Sequence, residues 1–341
     1  MNRREFLLAA GAAAVTPGCA SAGRNVASGS PLKVCVFADI HYFPGFWVND
    51  RVEFLDEIMN RAAEERCDFM IHLGDMVHRV RETEERAYVK RYNEFRAVKG
   101  YHVLGNHEHD RGTWQEACEL YRMPNAYHWF ERGGFRFIIA DPNYVRDAGG
   151  RFIHHGERNY LNRAADTTIN WIPPEQMEWL RDAVMGSELP CVVLSHQSFM
   201  SPPCGAGVMN KDEVQAIFRE ANARRPKHVR LVINGHNHKD RISIMDGIPY
   251  WDVNSANFQY FGTPHGAYPA EYVAAHPRAV NNLGWTRPLS AILSLHSDGR
   301  IEIKGSEAQY LFGVDPAAAG LKEYDAVGRR TAPRIQDVRI G

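Results

Sequence analysis

Short polar groups recur in the chain, each placed directly after an apolar run of strand length. They carry His, Asp and Asn, side chains that ligate divalent transition metals such as Zn, Fe, Ni and Mn. The groups are Asp39-x-His41, Gly74-Asp75, Gly105-Asn106-His107, His196 and Gly235-His236-Asn237-His238. One carboxylate can bridge two ions, and paired ions about 3.5–4 Å apart can clamp a phosphoryl group during in-line attack. The residue types therefore predict a metal centre suited to hydrolysis.

The segments between these groups predict the elements that position them. Apolar runs typical of buried strands alternate with amphipathic segments typical of helices. The predicted strands are 34–37, 69–71, 101–104, 135–140, 191–194, 229–233, 241–245 and 249–253, with a final hairpin of 290–295 and 300–303. The predicted helices begin near residues 49, 82, 175 and 211. Because ligands of open α/β sheets bind beyond the carboxyl ends of strands, we expect five strand ends to gather the polar groups in one cluster. A glycine precedes Asp75, Asn106 and His236, where it would let the backbone turn sharply at the end of the strand.

The ordered set of motifs resembles the calcineurin-like metallophosphoesterase superfamily, whose blocks read DxH, GDxx, GNH[DE], H and GHxH. All five blocks occur here in that order, between Asp39 and His238. The resemblance implies an α/β fold, a four-layer sandwich of two mixed β-sheets flanked by helices, in a single domain. It also implies the ligands of two metal ions: Asp39, His41 and His238 for one, Asn106, His196 and His236 for the other, and Asp75 as the bridge. His107 would stay off the metals and act on the phosphate or the leaving group.

The activity implied by the resemblance is hydrolysis of a small-molecule phosphate ester, a monoester or a diester. Two divalent ions, such as Mn, Fe or Zn, would lower the pKa of a water they share, and the resulting hydroxide would attack phosphorus in line. Three alternatives stay open: hydrolysis of nucleotide pyrophosphate linkages, hydrolysis of amides, and a non-catalytic metal-binding scaffold. The chain has no HExxH motif and keeps all eight motif positions, which favours phosphorus chemistry and catalysis.

Two residues after the second block depart from the pattern. In many relatives an Asp or Asn at the place of His78 orients the catalytic His, and an imidazole cannot stabilise an imidazolium as a carboxylate does. We hypothesise that His78 contacts His107 or the substrate; a solvated surface His is the alternative. Arg79 is at the position where one branch of the superfamily binds phosphate with an Arg, and we consider it a candidate substrate-binding residue. Val80 replaces the neighbouring glycine of that branch, which favours the alternative of a solvated Arg.

Other polar groups lie on predicted loops near the motifs. His109-Asp110-Arg111 and His154-His155 could reach the site, although clustered polar loop residues are more often solvated. The segments 143–170 and 257–287 show no clear period and are predicted to be long loops that cover the site and hold the substrate choice. The globular domain is predicted to span 32–305, with a tail, 306–341, that drapes over the surface.

Composition excludes several classes of protein. The 341 residues are 44% hydrophobic and 24% charged, which is ordinary for a globular protein and unlike a disordered, collagen-like or multi-span membrane chain. Lys and Arg total 40 against 41 Asp and Glu, a net charge of −1. Without a basic excess, no nucleic-acid partner is predicted.

The first 22 residues have the features of an export signal. Arg3-Arg4 precedes an uncharged run, 9–15, that is too short to span a bilayer, which is typical of a twin-arginine signal peptide read by the twin-arginine export machinery. We expect cleavage after Ala22, a linker over 23–31, and a periplasmic or extracellular protein. A buried N-terminal helix is the alternative.

Cysteine usage is consistent with either fate of the leader. Cleavage would remove Cys19, and acylation of Cys19, the second possibility, would anchor the chain to lipid. Five of the six cysteines remain in both cases, so at least one thiol should be free. The twin-arginine route carries folded proteins, which fits a metal site that is loaded before export.

The export signal predicts that the double substitution Arg3→Lys, Arg4→Lys blocks export, because the pathway recognises the paired arginines. The measurement is the fraction of the chain in periplasm and cytoplasm by immunoblot. Arg24→Lys, in the predicted linker, is the matched control and should be exported normally. Normal export of the double variant would mean that another pathway carries the protein.

Overall fold

A computed structural model describes residues 29–44, 50–78, 83–110, 112–158, 168–203, 206–260 and 266–341. The predicted signal peptide, Cys19, Arg79 and Arg111 lie outside the described residues. None of the helices in these ranges has the length and apolar character that a membrane crossing requires. The four cysteines within them, Cys35, Cys67, Cys118 and Cys191, are buried free thiols.

The described residues form short strands and mostly short helices in alternation. The helices are α1 Val52–Glu64, α2 Thr83–Asn93, α3 Trp114–Tyr121, α4 Pro174–Met185, α5 Lys211–Arg224 and α6 Ala270–Ala275. The first strands are β1 Leu32–Phe37, β2 Phe69–His72, β3 Lys99–His102, β4 His128–Arg132, β5 Phe135–Ile139, β6 Tyr144–Arg146, β7 Phe152–His154, β8 Thr168–Ile169, β9 Cys191–Ser195 and β10 Val229–Asn234. The others are β11 Arg241–Met245, β12 Ile248–Asp252, β13 Phe258–Tyr260, β14 Asn282–Gly284, β15 Ala291–Leu295, β16 Ile301–Lys304, β17 Ser306–Glu307, β18 Arg334–Ile335 and β19 Val338–Ile340.

Two six-stranded sheets organise the molecule. The strand order of the first is β19-β16-β15-β1-β2-β3, and that of the second is β11-β12-β10-β9-β5-β4. Each sheet mixes orientations: β1 runs parallel to β2 and antiparallel to β15, and β10 runs parallel to both β9 and β12 while β11 is antiparallel. The mixed sheets expected from the sequence are confirmed.

Apolar side chains on both faces of each sheet produce a four-layer sandwich. Phe69 and Val36 of the first sheet meet Phe137 and Leu194 of the second in a central, fully buried cluster. The outer face of the first sheet packs against α1 and α2, and that of the second against α4 and α5. Strands buried on both faces read as continuous apolar runs, which is why the sequence predicts them well.

The segments predicted to be irregular contain regular structure. The 143–170 segment carries a three-stranded sheet of β7, β6 and β8, and the 257–287 segment carries the pair β13–β14 and helix α6. These strands have two or three residues each, too few to show a two-residue period. The structure therefore adds short strands and one helix to the two segments that the sequence predicts to be long loops.

The C-terminal segment belongs to the fold rather than lying loosely over it. Strand β19 extends the first sheet by pairing with β16, and Ile335 of β18 is 1% exposed in the central core. Asn254 donates from Nδ2 to the carbonyl oxygens of Ala332 and Arg334, which ties the segment to the second sheet. The expectation that residues 306–341 drape over the surface is therefore wrong for these strands. Their pairing with strands that are distant in sequence is not visible in the local pattern of residues.

Candidate metal centre

The predicted ligands follow the carboxyl ends of β1, β2, β9 and β10 and the short turn after β3, and the structure brings the six His and Asp side chains among them together. Five of them have left-handed backbone: φ is +54° at Asp39, +53° at His41, +56° at Asp75, +67° at His236 and +51° at His238. For an L-residue with a side chain this conformation costs roughly 1–2 kcal/mol. Such strain persists only where the surroundings over-determine it, and it concentrates at functional sites.

Backbone hydrogen bonds hold the strained turns after β1 and β2 to each other. The amide of Asp39 donates to Gly74 O at 3.0 Å, and the amide of His41 donates to Asp75 O at 2.9 Å. The last of these hydrogen bonds between the two turns joins the amide of His78 to Tyr42 O at 3.1 Å. The DxH and GD groups are therefore one rigid unit, although 33 residues lie between His41 and Asp75.

One side of the cluster is formed by Asp39, His41 and His238. The Nε2 atoms of the two histidines are 3.0 Å apart, and Asp39 Oδ1 lies 3.7 Å from that of His41 and 3.4 Å from that of His238. His238 Nδ1 donates to Phe258 O at 2.8 Å, which leaves a lone pair on Nε2. Burial lowers the pKa of His41 to about 4, so this imidazole is neutral at pH 7.

The other side is formed by His196 and His236, and Asn106 is next in the chain to His107, whose amide donates to Asp75. His196 Nε2 lies 3.1 Å from His236 Nδ1. The Nδ1 of His196 donates to Leu73 O at 2.7 Å. Asn106 Oδ1 is buried, and no donor among the described residues reaches it. A buried acceptor of this kind needs a partner, and a cation is the partner that its neighbours suit.

Asp75 lies between the two sides. Its Oδ2 is 3.0 Å from His196 Nε2 and 3.6 Å from His41 Nε2, while its Oδ1 accepts from the amide of His107 at 2.8 Å. Burial lowers the pKa of His196, but the carboxylates of Asp75 and Asp39 outweigh it and raise that pKa to about 10. The field of the same two carboxylates favours divalent cations at this place. Four imidazoles, two carboxylates and one orphaned amide oxygen form a donor set that fits divalent metal ions.

Glu108 clamps the second and third motif blocks together. Its Oε2 accepts from the amides of Asp75 at 2.8 Å and Gly105 at 2.7 Å, and its Oε1 accepts from Met76 N at 2.9 Å and from the Tyr121 hydroxyl at 2.9 Å. Helix α3, which ends at Tyr121, begins with a capping box between Thr113 and Glu116. Sequence reasoning noted the acidic residue in GNH[DE] but missed this role, which the motif itself could have indicated.

The motif glycines are required mainly by close contacts. Gly74 has the predicted special backbone, with φ +98°, but Gly105 and Gly235 do not. A Cβ atom at Gly105 would lie 2.2 Å from Asp75 Oδ1, and one at Gly235 would lie 2.7 Å from Asp39 Oδ2. These two glycines therefore leave room for the carboxylates, and the sharp turns expected from the sequence fall on the ligands themselves.

His107 lies at the edge of the ligands and has a carboxylate partner that the sequence did not assign to it. Its Nδ1 donates to Asp110 Oδ2 at 2.7 Å. Burial acts to lower the pKa of His107, but the carboxylates of Asp75 and Asp110 have the larger, opposite effect and raise it to about 9. The ring of His78 stacks on that of His107, with centroids 4.3 Å apart and planes at 26°. The sequence placed Asp110 on a loop and left a solvated side chain as the commoner case. In the structure Asp110 is the carboxylate partner of His107, and His78 occupies the position where many relatives have Asp or Asn.

The comparisons with known proteins agree with this arrangement of motifs. The sequence pattern of the calcineurin-like phosphoesterase family matches residues 32–240. No curated protein is similar enough in sequence to count as a match.

Several solved structures are similar to the chain. A dimetal phosphatase from Danio rerio has a TM-score of 0.56 and 15% identity, with 82% of this chain and 99% of that chain covered. GAP50, described as the anchor in the inner membrane complex of Plasmodium, has a TM-score of 0.46 and 12% identity over 88% of this chain and 99% of that one. Phosphopantetheinyl hydrolase from Mycobacterium tuberculosis has a TM-score of 0.38 and 15% identity over 67% of this chain and 91% of that one. The first of these shows that the fold is shared.

The close contact at Gly105 predicts that Gly105→Ala weakens metal binding, because the new methyl group would push the Asp75 carboxylate away from its neighbours. We expect a loss of metal affinity of about 10- to 100-fold, the range found when the support of a ligand is disturbed. The measurement is a competition titration of bound metal with a chelator. Gly266→Ala is the matched control, because nothing lies within 4 Å of its added Cβ. Equal affinity in both variants would contradict the close-contact explanation.

Proposed function

The chain belongs to the calcineurin-like phosphoesterase family, and on that premise we propose that it hydrolyses small phosphate monoesters or diesters with two divalent ions and His107. Membership of the family makes it a metal-dependent hydrolase of phosphoester bonds; the number of ions, the substrate class and the role of His107 are the proposal. The observation that carries it is the convergence of five His and Asp side chains on the Asp75 carboxylate, with His107 beside them.

The ligands divide into two sets that share one carboxylate. Asp39, His41 and His238 would hold one ion, Asn106, His196 and His236 the other, and Asp75 both. When bound, such ions lower the pKa of water and polarise the phosphoryl oxygens. The protein fixes the orientation of its ligand imidazoles, because Nδ1 of His196 and of His238 donates to a backbone carbonyl oxygen and leaves Nε2 directed at the centre.

His107 is proposed to assist the departure of the leaving group. Its Nδ1–H is fixed by Asp110, so its Nε2 is the atom that can exchange a proton with substrate. The carboxylate of Asp110 stabilises the protonated ring and holds its orientation, as the carboxylate of a Ser-His-Asp triad does for its histidine. A protonated His107 would donate to the departing alkoxide and then return to the neutral form.

Aromatic side chains lie beside the centre. The ring of Tyr260 is 4.8 Å from that of His238, and the residue is 43% exposed. Phe43 lies 5.6 Å from His78, which in turn stacks on His107. We place the leaving group of the ester between these rings, where a flat or apolar group would find a surface to contact.

The location of this activity is also a proposal. The paired arginines and the short apolar run at the N-terminus support export by the twin-arginine machinery to the periplasm or the extracellular space. A phosphate ester met outside the cytoplasm would then be the physiological substrate.

Metal removal should abolish turnover of the wild-type protein, and restoration with Mn²⁺, Fe²⁺ or Zn²⁺ should recover it, because the proposed reaction needs bound ions to activate water and polarise the phosphoryl oxygens. The measurement is the initial rate on p-nitrophenyl phosphate, bis-p-nitrophenyl phosphate and a nucleotide pyrophosphate before and after chelation. Full activity of the metal-depleted protein would contradict the proposal. A metal-loaded protein that turns over none of the three would favour a binding scaffold, and turnover of the pyrophosphate alone would replace the substrate class proposed here.

His107→Ala should lower kcat by about 10²- to 10⁴-fold, the contribution of a positioned general acid. Asp110→Asn should cost less, about 10- to 100-fold, since the ring stays but its partner loses its charge. Both variants should keep their metal content, because neither residue is among the proposed ligands. The measurement is kcat on the better ester, together with metal analysis of the same samples.

Asp298→Asn, in the exposed turn between β15 and β16, is the control for loss of a carboxylate, and its kcat should equal that of the wild type. A wild-type kcat for His107→Ala would remove the histidine from the mechanism. A wild-type kcat for Asp110→Asn would mean that the 2.7 Å contact has no catalytic consequence.

A further inference from the structure

A buried amide side chain lies between two of the loops that carry the proposed metal ligands. Asn143 comes between β5 and β6 and is 0% exposed. Strand β5 is parallel to β9, so both strands end at the same edge of the second sheet, and His196 comes directly after β9. From sequence, Asn143 is only the first residue of a segment predicted to be a long loop.

The two ends of the Asn143 side chain contact the two loops. Its Nδ2 donates to the carbonyl oxygen of Leu104 at 3.0 Å, two residues before Asn106. Its Oδ1 accepts from Gln197 Nε2 at 2.7 Å, and Gln197 is the residue after His196. Among the described residues this is the only hydrogen bond that the Gln197 side chain makes. The Asn143 amide therefore links the loop of His196 to the turn 105–107, which we call the GNH turn.

The carboxylate of Asp141 decides which way the Asn143 amide points. Its Oδ1 accepts from Asn143 Nδ2 at 2.6 Å, and its Oδ2 accepts from His154 Nε2 at 2.8 Å. His154 carries its hydrogen on Nε2, because its Nδ1 accepts from the amide of Gly156 at 3.0 Å. An ionised carboxylate only accepts hydrogen bonds, so the NH₂ group of Asn143 faces Asp141 and its oxygen faces Gln197.

The surroundings hold this network in place. Gln176 of α4 accepts from the amide of Asp141 and donates to its carbonyl oxygen, both at 2.8 Å. The ring of His109 meets that of His154 edge to face, with centroids 4.6 Å apart. All of these side chains are at most 2% exposed. Breaking one of the hydrogen bonds would leave a polar group unpaired away from water, so the network resists displacement.

We propose that Asn143 is a positioning residue for the His196 side of the metal centre. By joining Gln197 to Leu104 O, it sets the separation between His196 and the GNH turn, which carries Asn106. Groups that orient metal ligands from outside typically change metal affinity by about 10- to 100-fold when they are removed. The part of this inference that concerns metal affinity rests on the proposed function, whereas the placement of the side chains does not.

The other side of the centre is held by different contacts. The amide of Asp39 donates to Gly74 O, and His238 Nδ1 donates to Phe258 O. Within the described part of the chain, no hydrogen bond of Asn143 goes to Asp39, His41 or His238. Loss of the Asn143 amide should therefore affect one metal ion and spare the other.

The test uses Asn143→Leu, which keeps the approximate size of the side chain and removes its hydrogen bonds. In crystals of the metal-free variant, we expect His196 and the GNH turn to be displaced from their wild-type positions, while His41 and His238 superpose. In crystals soaked at increasing Mn²⁺ concentrations, anomalous diffraction should show about 10- to 100-fold weaker binding of the ion beside His196 and unchanged binding of the ion beside His238. In solution, the EPR spectrum at the same Mn²⁺ concentration should change from that of a spin-coupled pair to that of an isolated ion.

Asn222→Leu is the matched control. Asn222 also accepts at Oδ1, from the amide of Val229 at 2.6 Å, and donates at Nδ2, to Val229 O at 3.2 Å. Val229 begins β10, at the end of the strand opposite to His236, so this variant should keep both metal affinities. Gln197→Met removes only one hydrogen bond of the network. It replaces Asn143→Leu where that variant does not fold, and it should weaken the same ion.

The outcomes distinguish this inference from the proposed function. Wild-type positions of His196 and the GNH turn in the metal-free variant would overturn the positioning role, and so would wild-type affinities for both ions. Equal losses at both ions would also overturn it, because a general loosening of the fold produces that result. A wild-type protein that binds no ion beside His196 would refute the proposed function, while displaced side chains in the metal-free variant would still support the role of Asn143.

Discussion

Two carboxylates buried at one place are the constraint on which the rest of the structure depends. Asp39 Oδ1 and Asp75 Oδ2 lie 3.7 Å and 3.6 Å from the same atom, His41 Nε2, and both residues are at most 2% exposed. Two buried carboxylates at one place repel each other, and the imidazoles around them occupy the space that water would otherwise fill. The arrangement is stable when cations share the carboxylates, which is the state that the family's chemistry requires.

The fold supports this crowding through backbone geometry. Left-handed residues at the ends of β1, β2 and β10 turn the side chains inward, and the hydrogen bonds between the turns after β1 and β2 hold them there. Glu108 adds three backbone amides and a tyrosine hydroxyl to the same framework, so the GD and GNH blocks cannot move independently. The strained backbone, the buried carboxylates and the close contacts at the glycines therefore occur at the same place. The packed surroundings that fix the geometry also allow the strained backbone to persist.

The turn from residue 107 to residue 110 connects three functions in four residues. His107 is the proposed proton donor, Glu108 holds the ligand loops, and Asp110 accepts a hydrogen bond from His107. His109 points away from these toward Asp141 and His154. Because neighbouring residues of a tight turn project in different directions, one short segment can serve the reaction, the framework and a separate cluster. The carboxylate partner of His107 is Asp110, and His78 stacks ring on ring against His107.

The sequence alone determined the donor residues, their order along the chain and the alternation of strands and helices that carries them. These are local properties: an apolar run long enough for a buried strand, followed at once by His, Asp or Asn, can be read without knowing its neighbours. Tertiary structure decided what depends on distant residues meeting. The pairing of β19 with β16, the small strands in 143–170, the space that Gly105 leaves for Asp75, and the meeting of His109 with Asp141 and His154 all involve contacts between separate segments. The partner of His107 is the instructive case, since Asp110 was visible three residues away and only the backbone geometry of the turn decided that the two side chains meet.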